Sequence, residues 1–178
     1  MSRDTVSGMK FTLLLAAAVA ALAQTPDATG WSAAKWGMTA AEVQAAFPTV
    51  RPVNPPEKDL GQFIRLEAPA MQLGNYQATA KFKFPTDQDR LTAVNVSVSQ
   101  DAARPSAFDA LKDGLTAKYG KPTSSDTVSE RTAFGSTIET RSIVWRLKSS
   151  MVTLEWIESK SFGIVTVRYA ERKPDPTL

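Results

Sequence analysis

The feature that most constrains the fold is an alternation of apolar and polar residues that recurs along the chain. It is clearest over residues 76–84, where Tyr, Ala, Ala, Phe and Phe alternate with Gln, Thr, Lys and Lys. A period of two sends successive side chains to opposite faces of a strand, so that one face is buried and the other is wet. The same alternation returns over residues 91–99, 137–148, 152–156 and 165–169. These segments predict an antiparallel sheet with one solvated face.

The first helix is predicted from a capping box. Thr39 and Glu42 have the S/T-x-x-E spacing, in which each side chain accepts a hydrogen bond from the backbone of the other residue. Pro48 ends the segment, which gives a short helix over residues 40–47. Residues 51–61 contain three prolines and several charges and are expected to form a loop.

The second helix is predicted over residues 106–119, with Ser106 as its cap. Gly120 stands where a glycine with positive φ commonly ends a helix. An apolar stripe at helical spacing marks its buried side: Phe108, Leu111, Leu115 and Tyr119.

The order of these elements favours an α+β fold with two helices packed on one face of an antiparallel sheet. We expect one domain over residues 31–171, followed by a tail over 172–178. Residues 31–100 and 101–171 each read as a helix followed by a β-meander, which suggests an internal repeat. The alternative is two smaller αβββ subdomains with separate sheets.

The beginning of the chain reads as a secretory signal peptide over residues 1–23. Arg3 and Lys10 precede an apolar run over residues 11–22, and Ala-Leu-Ala at residues 21–23 has the small-x-small form of a cleavage site. The run is short for a membrane helix, which needs about 20 apolar residues. The sequence therefore predicts an exported protein, periplasmic or secreted, without a membrane span.

Cleavage after Ala23 would leave 155 residues that begin with a flexible leader over residues 24–30. Met9 is also a plausible start, since Met-Lys can itself open a signal peptide. Removing residues 1–23 lowers Lys plus Arg from 21 to 19 and Asp plus Glu from 18 to 17, for a net charge of +2. This small, dispersed excess is not typical of a nucleic-acid-binding protein.

The chain contains no cysteine and no histidine. It can therefore form no disulfide, no cysteine-linked lipid anchor, no Ser-His-Asp triad and no imidazole metal site. No serine-lysine, phosphate-binding or calcium-loop motif is present either. We expect no catalytic residues, no metal and no cofactor.

Two short motifs resemble known exported modules. Residues 37–43 (Gly-Met-Thr-Ala-Ala-Glu-Val), followed by Phe47 and Pro48, are similar to the helix start of the BamE (SmpA/OmlA) family and of the β-lactamase-inhibitor protein family. Residues 115–122, with a later Trp145, resemble a pattern of exported bacterial α+β proteins. The resemblance implies a module that binds other proteins and has no catalytic site. The chain departs from these families in lacking the lipidated cysteine, the disulfides and a second Gly-Met-Thr start.

Candidate binding residues fall into two groups. Trp31 and Trp36 flank the first helix and are either an aromatic platform or part of the core. The second group is basic and is predicted at outward strand positions, where it would form a wet face for an acidic partner or ordinary surface charge: Arg65, Lys81, Lys83, Arg146, Lys148 and Arg168.

These observations lead us to expect a protein or peptide partner in the bacterial envelope. Binding would use the sheet face, or an unpaired edge strand that lacks Lys and Pro. The alternative function is a carrier of a small apolar or aromatic ligand between the helices and the sheet. The sequence does not indicate an oligomeric state.

Overall fold

The structure is a computed structural model that describes residues 27–85, 87–99, 103–133 and 135–173. The expected signal peptide, part of the expected leader and most of the expected tail lie outside these residues. The elements are β1 Gly30–Trp31, β2 Ala34–Lys35, α1 Ala40–Ala46, β3 Arg51–Asp59, β4 Gln62–Leu73, β5 Tyr76–Pro85, β6 Ala93–Val98, α2 Pro105–Tyr119, β7 Ser124–Arg131, β8 Thr137–Arg146, β9 Ser150–Glu158 and β10 Gly163–Glu171.

Eight strands form one antiparallel sheet in the order β3-β4-β5-β6-β10-β9-β8-β7, and β1 pairs with β2 in a small separate ladder. The two strands at the centre, β6 and β10, are joined by pairs such as Val96 opposite Val167. The α+β class, with two helices and a large antiparallel sheet, is therefore confirmed. Because the sheet is continuous across β6 and β10, the alternative of two subdomains with separate sheets is wrong.

One face of the sheet carries the apolar core and is called the helix face below. A single row across it runs through paired residues of β5, β6, β10, β9 and β8. All five side chains of this row are at most 4% exposed: Phe82, Val94, Tyr169, Val152 and Trp145.

Both helices contribute to this core. Directly after α1 in the sequence, the ring of Phe47 lies 6.0 Å from the ring of Phe82. At the end of α2, the indole nitrogen of Trp145 donates to the carbonyl of Gly120 at 2.9 Å. The helices therefore lie on the face that the alternation predicts to be buried.

The start of α1 confirms the predicted capping box. The hydroxyl of Thr39 accepts from the backbone N–H of Glu42 at 3.3 Å, and the Glu42 carboxylate accepts from the backbone N–H of Thr39 at 2.8 Å. These backbone and hydroxyl hydrogen bonds from Thr39 hold the pKa of Glu42 below its usual value. Such a cap satisfies amide groups that have no partner within the helix.

The start of α2 differs from the prediction. Its N-cap is Arg104, which makes no side-chain capping hydrogen bond, and Pro105 occupies the first helical position. Ser106 is therefore inside the helix, and the prediction that it caps α2 is wrong. Proline suits the first helical position because its fixed φ is helical and the missing N–H would be unpaired there. Gly120 ends the helix with φ 80°, as predicted.

The prediction of a loop over residues 51–61 is wrong, because residues 51–59 form the edge strand β3. Its pairing with β4 is interrupted by a register shift between Pro52 and Glu57. An edge strand tolerates prolines because one side of its backbone needs no ladder hydrogen bonds. β4 follows β3 from Gln62 to Leu73 and pairs with β5 on its other side.

The opposite edge is β7, for which the sequence predicts no strand. It pairs with β8 over its full length, from Ser124 opposite Val144 to Arg131 opposite Thr137. All eight of its side chains are exposed. A strand that is exposed on both faces has no apolar alternation, so periodicity cannot reveal it.

The remaining predicted strands and hairpins are confirmed. β5 pairs with β6, β8 pairs with β9, and β9 pairs with β10, all antiparallel. The turns that join β8 to β9 and β9 to β10 lie at residues 147–149 and 159–162.

Residues 27–30, the described part of the expected flexible leader, are tied to the turn between β8 and β9. The carboxylate of Asp27 accepts from the backbone N–H of Ser149 at 2.9 Å, and the hydroxyl of Ser150 donates to the carbonyl of Ala28. Burial alone would raise the pKa of Asp27, but the hydrogen bonds from Ser149 and Ala28 outweigh it and lower that pKa. This short segment therefore belongs to the folded domain.

Candidate binding surfaces

The face of the sheet opposite the helices is called the open face below. On the four central strands it presents two rows of polar side chains, each row joining residues paired across β5, β6, β10 and β9. The first row is Thr79, Ser97, Thr166 and Glu155, and the second is Lys81, Asn95, Arg168 and Thr153. In the first row the hydroxyls of Ser97 and Thr166 are hydrogen-bonded at 3.1 Å.

The two lysines of β5 do not form the free basic surface that the sequence predicts. Lys81 Nζ lies 2.8 Å from the carboxylate of Glu57, and Lys83 Nζ lies 2.5 Å from that of Asp59. Both acids come from the edge strand β3, so their charges offset those of the lysines. Lys83 is only 2% exposed, and its assignment to a wet face is wrong.

Arg65 does not join the lysines either. Its guanidinium lies 5.5 Å from the ring centre of Phe84, a core residue, and 2.9 Å from the carboxylate of Asp89. The pairing of β4 with β5 shifts register between Ile64 and Leu66, and Arg65 is the residue at this bulge. A bulge redirects a side chain, so the prediction that Arg65 belongs to the open face is wrong.

Arg146 and Lys148 are exposed, as predicted. Arg146 pairs with Met151 across β8 and β9, beyond the central rows of the open face, and Lys148 lies in the turn that follows β8. Within the described part of the chain neither side chain forms an ion pair. Together with Arg168, these are the basic candidates that remain available to a partner.

Arg168 and Asn95 form the least satisfied polar pair on the open face. They are direct cross-strand neighbours on β10 and β6. The Nε atom of Arg168 and the Oδ1 atom of Asn95 are both buried, and neither has a hydrogen-bond partner among the described residues. Buried polar atoms of native proteins are nearly always paired, so each exception calls for an explanation.

Arg168 also borders a hollow of about 430 Å³ at one end of the open face. The ion pair between Arg90 and Glu171, at 2.6 Å, forms part of its wall. Gln62 donates to the hydroxyl of Thr92 at 2.8 Å on another side. These hydrogen-bonded walls give the hollow a defined shape into which a partner side chain can enter.

The two tryptophans of the first segment pack into the fold and do not form one exposed platform. Trp31 stacks on Phe47 at 5.8 Å, and Trp36 donates from its indole nitrogen to the hydroxyl of Ser150 at 2.8 Å. Both rings are partly buried against the core. Trp145 and Trp156 are core residues, 1% and 2% exposed.

A second cavity, of about 500 Å³, lies at the margin of the core on the helix side. It is open to solvent on one side and is lined by residues 27–32, Lys35, the end of the β4–β5 hairpin at residues 71–74, Lys118, Tyr119 and Tyr169. Trp31 is the main aromatic surface of this lining, since Tyr119 and Tyr169 are each only 4% exposed.

Asn95 and the cavity are the features that sequence reasoning missed. Asn95 carries a weak signal, because asparagine is depleted in strands and here interrupts the run Val94-Asn95-Val96. The cavity carries none, since its walls come from segments that are distant in sequence.

Over the described ranges, no group of three or more His, Cys, Asp or Glu side chains is placed to hold a metal ion. In the same ranges, no helix combines the length and apolar character needed to cross a membrane. Comparisons of the chain with protein-family models, with curated proteins and with solved structures give no match. The resemblance to the BamE and β-lactamase-inhibitor protein families therefore stays a prediction.

Proposed function

We propose that the chain is an exported, non-enzymatic module that binds a protein or peptide in the bacterial envelope through the open face of its sheet. Arg168 is the anchor in this proposal, and an acidic side chain of the partner is its counterpart. The observation that carries the proposal is the pair of buried, unpartnered atoms on Arg168 and Asn95.

The energetic argument rests on unsatisfied hydrogen bonds. Leaving a buried donor or acceptor without a partner costs about 1–3 kcal/mol. Because the unpartnered atoms of Arg168 and Asn95 are both buried, the Arg168 side chain would have to turn outward on binding. Its guanidinium would then donate to a carboxylate of the partner, and Oδ1 of Asn95 would be open to an amide or hydroxyl donor. Binding would then recover a cost that the unbound protein carries.

The form of the open face suits such a partner. Arginine presents donors in a planar fork that matches a carboxylate, and hydrogen bonds with charged partners are roughly twice as strong as neutral ones. The hollow beside Arg168 has room for the partner side chain. The surrounding threonines and serines offer further hydrogen bonds without steric obstruction.

We propose export because residues 1–23 contain basic residues, then an apolar run, then a small-x-small cleavage site. Partner binding without catalysis agrees with a composition that has neither cysteine nor histidine.

We also infer that the chain is built from two α-β-meander repeats. Each helix is followed by four consecutive strands, α1 by β3–β6 and α2 by β7–β10, and the last strands of the two sets are neighbours at the centre of the sheet. An ancestral repeat that paired with itself along its last strand would give this order, and it would place Asn95 and Arg168 at the junction.

The proposal is tested by site-specific photocrosslinking in the native envelope. A photoreactive phenylalanine analogue at Thr79, on the open face, should give one reproducible protein adduct, while the same probe at Ala117, exposed on α2, should not. Arg168→Gln should reduce that adduct by about tenfold, which corresponds to 1.4 kcal/mol. Arg104→Gln, which removes an exposed arginine on the helix side, should leave it unchanged.

Equal adducts from Thr79 and Ala117, or an adduct that Arg168→Gln does not reduce, would contradict the proposal. Adducts from a probe at Thr127 alone would indicate β-augmentation at β7 instead. That edge is open to another strand because β7 contains neither Lys nor Pro, whereas β3 contains three prolines and Lys58.

A further inference from the structure

The cavity on the helix side has the size of a small-molecule site. Its volume of about 500 Å³ falls in the range of ligand pockets, roughly 300–1,000 Å³. It lies on the opposite side of the sheet from Arg168 and Asn95, so it plays no part in the proposed protein docking.

The apolar part of the cavity wall is held rigidly. The ring of Trp31 lies 5.8 Å from Phe47, 5.9 Å from Phe82 and 6.5 Å from Tyr169. Burial and the hydrogen bond with Tyr119 raise the pKa of Tyr169, so its phenol is uncharged at physiological pH. The wall therefore offers a fixed aromatic surface to an apolar group.

One hydrogen-bond donor in this wall is unused. The indole nitrogens of Trp36, Trp145 and Trp156 each donate to an acceptor of the protein at 2.8–3.0 Å. Within the described residues, the indole nitrogen of Trp31 has no acceptor. Trp31 lines the cavity and its N–H is accessible to solvent, so this donor is available to a ligand.

The charged groups around the cavity favour an anion. Lys35 and Lys118 line it and form no ion pair within the described ranges, although Lys118 Nζ lies 5.0 Å from the ring centre of Tyr119. The carboxylate of the lining belongs to Asp27, and it already accepts from the backbone N–H groups of Ala28 and Ser149. The lining thus carries two ammonium groups and one carboxylate, a net charge of +1, together with the indole N–H of Trp31.

Backbone strain is concentrated beside the same cavity. Ser32, in its lining, has φ +54°, and Ala70, next to the lining residue Met71, has φ +55°. Non-glycine residues in this region of φ cost energy and cluster at ligand-binding sites.

We propose that this cavity binds a small monocarboxylate with an aromatic or alkyl body. The carboxylate accepts hydrogen bonds from Lys118, Lys35 and the indole N–H of Trp31. The apolar body lies against the ring of Trp31 and the side chains of Met71 and Leu73.

Titration calorimetry on the purified protein tests this proposal with 4-phenylbutyrate and octanoate as probes. Each is compared with its neutral amide, which keeps the apolar body and removes the charge. At least one acid should bind, and about tenfold more tightly than its amide, because a hydrogen bond with a charged partner contributes more than a neutral one. The acid that binds more tightly then shows whether the apolar body of the ligand is aromatic or alkyl.

Variants locate the site. Lys118→Gln should weaken binding of the preferred acid about tenfold, and Trp31→Phe should weaken it several-fold while it keeps an aromatic ring in the core. Lys112→Gln, six residues earlier on α2 and paired with Asp109, should leave the affinity unchanged.

Three results would overturn the proposal: no binding of either acid at millimolar concentration, amides that bind as tightly as the acids, or equal losses from Lys118→Gln and Lys112→Gln. The melting temperature of each variant is recorded with the titration, so that a loss of fold is recognised as such. None of these measurements depends on a protein partner, and the proposal can therefore fail or hold independently of the function of the open face.

Discussion

The ion pair between Lys83 and Asp59 should be a structural element of the sheet and not part of a binding surface. The Lys83 side chain is 3% exposed and that of Asp59 is 33% exposed, with 2.5 Å between the charged atoms. The change that tests this is Asp59→Asn, which keeps the shape of the side chain and removes its charge. It leaves the Lys83 ammonium buried without a counter-charge.

The expected cost follows from this geometry. At 2.5 Å and an effective dielectric constant of about 20, the Coulomb attraction is roughly 7 kcal/mol before any desolvation cost is subtracted. Removing one partner of a buried pair typically costs about 3–5 kcal/mol. Water reaches the Asp59 side of the pair, so we expect Asp59→Asn to lower the free energy of unfolding by about 3 kcal/mol.

The opposite change should cost less. Lys83→Met replaces the buried ammonium by an apolar chain of similar length and leaves Asp59 where water can solvate it, so the expected change is within about 1 kcal/mol. Glu57→Gln is the matched control. It breaks the neighbouring pair with Lys81, whose side chains are 38% and 51% exposed, and should cost at most about 1 kcal/mol.

Urea unfolding followed by tryptophan fluorescence measures all three variants and the double variant of Asp59→Asn with Lys83→Met. The double variant should regain most of the stability lost by Asp59→Asn, because no charge is then left buried. If Asp59→Asn costs no more than Glu57→Gln, or if Lys83→Met is the more damaging change, the interpretation of Lys83 as a buried structural cation is refuted.

Other substitutions test the packing and the cap. A methyl group on Gly163 would lie 2.4 Å from the ring of Trp156, so Gly163→Ala should destabilise the protein by about 1–3 kcal/mol, measured by urea unfolding. Gly114→Ala, where α2 has nothing within 4 Å of the new methyl group, should instead stabilise by about 0.5–1 kcal/mol; a loss at both glycines would contradict the packing argument. The carboxylate of Glu42 has a lowered pKa in the folded state, so its contribution is present above the unfolded pKa, near 4.5, and is lost as pH falls through the folded pKa. The melting temperature should therefore fall less between pH 6 and pH 3 in Glu42→Gln than in the unchanged protein, and parallel curves would count against the capping box.

The strands that could be predicted are those with one buried face and one solvated face. On β5, Ala80, Phe82 and Phe84 are buried and alternate with polar residues, and this pattern identifies the strand without any knowledge of its neighbours. The capping box before α1 is equally local, since Thr39 and Glu42 are three residues apart.

The parts that failed depend on position in the sheet. β3 is exposed along most of its length and β7 along all of it, because both are edges, and neither shows a period of two. Lys81 and Lys83 look identical in the sequence, yet one is half-buried and the other is enclosed. Both lysines pair with acids of β3, a strand whose prolines make its sequence look like a loop, and no local pattern shows which of the two lysines is enclosed.

The sequence predicts what type of surface the candidate site is, but not which residues meet there. A polar outward face follows from alternation, but the meeting of Asn95 with Arg168 depends on β6 pairing with β10, more than 70 residues later in the chain. Pairing between such distant segments is set by the whole topology, and no local pattern encodes it.

The chemistry of the open face also limits the kind of complex that it can form. In the described chain, the exposed large apolar residues are Leu60, Val128 and Ile164. They lie in the β3–β4 turn, on β7 and on β10, so they make no continuous patch. Permanent interfaces are more apolar than this, whereas complexes that form and separate rely on polar contacts and complementary charge. A partner held mainly by Arg168 and neighbouring hydroxyl groups would associate at a rate that falls as salt rises.

The aromatic cavity on the helix side differs in this respect, since its apolar wall would retain part of the affinity at high salt. Raising the ionic strength should therefore separate the two activities, weakening capture of the protein partner more than binding of a carboxylate with a large apolar body.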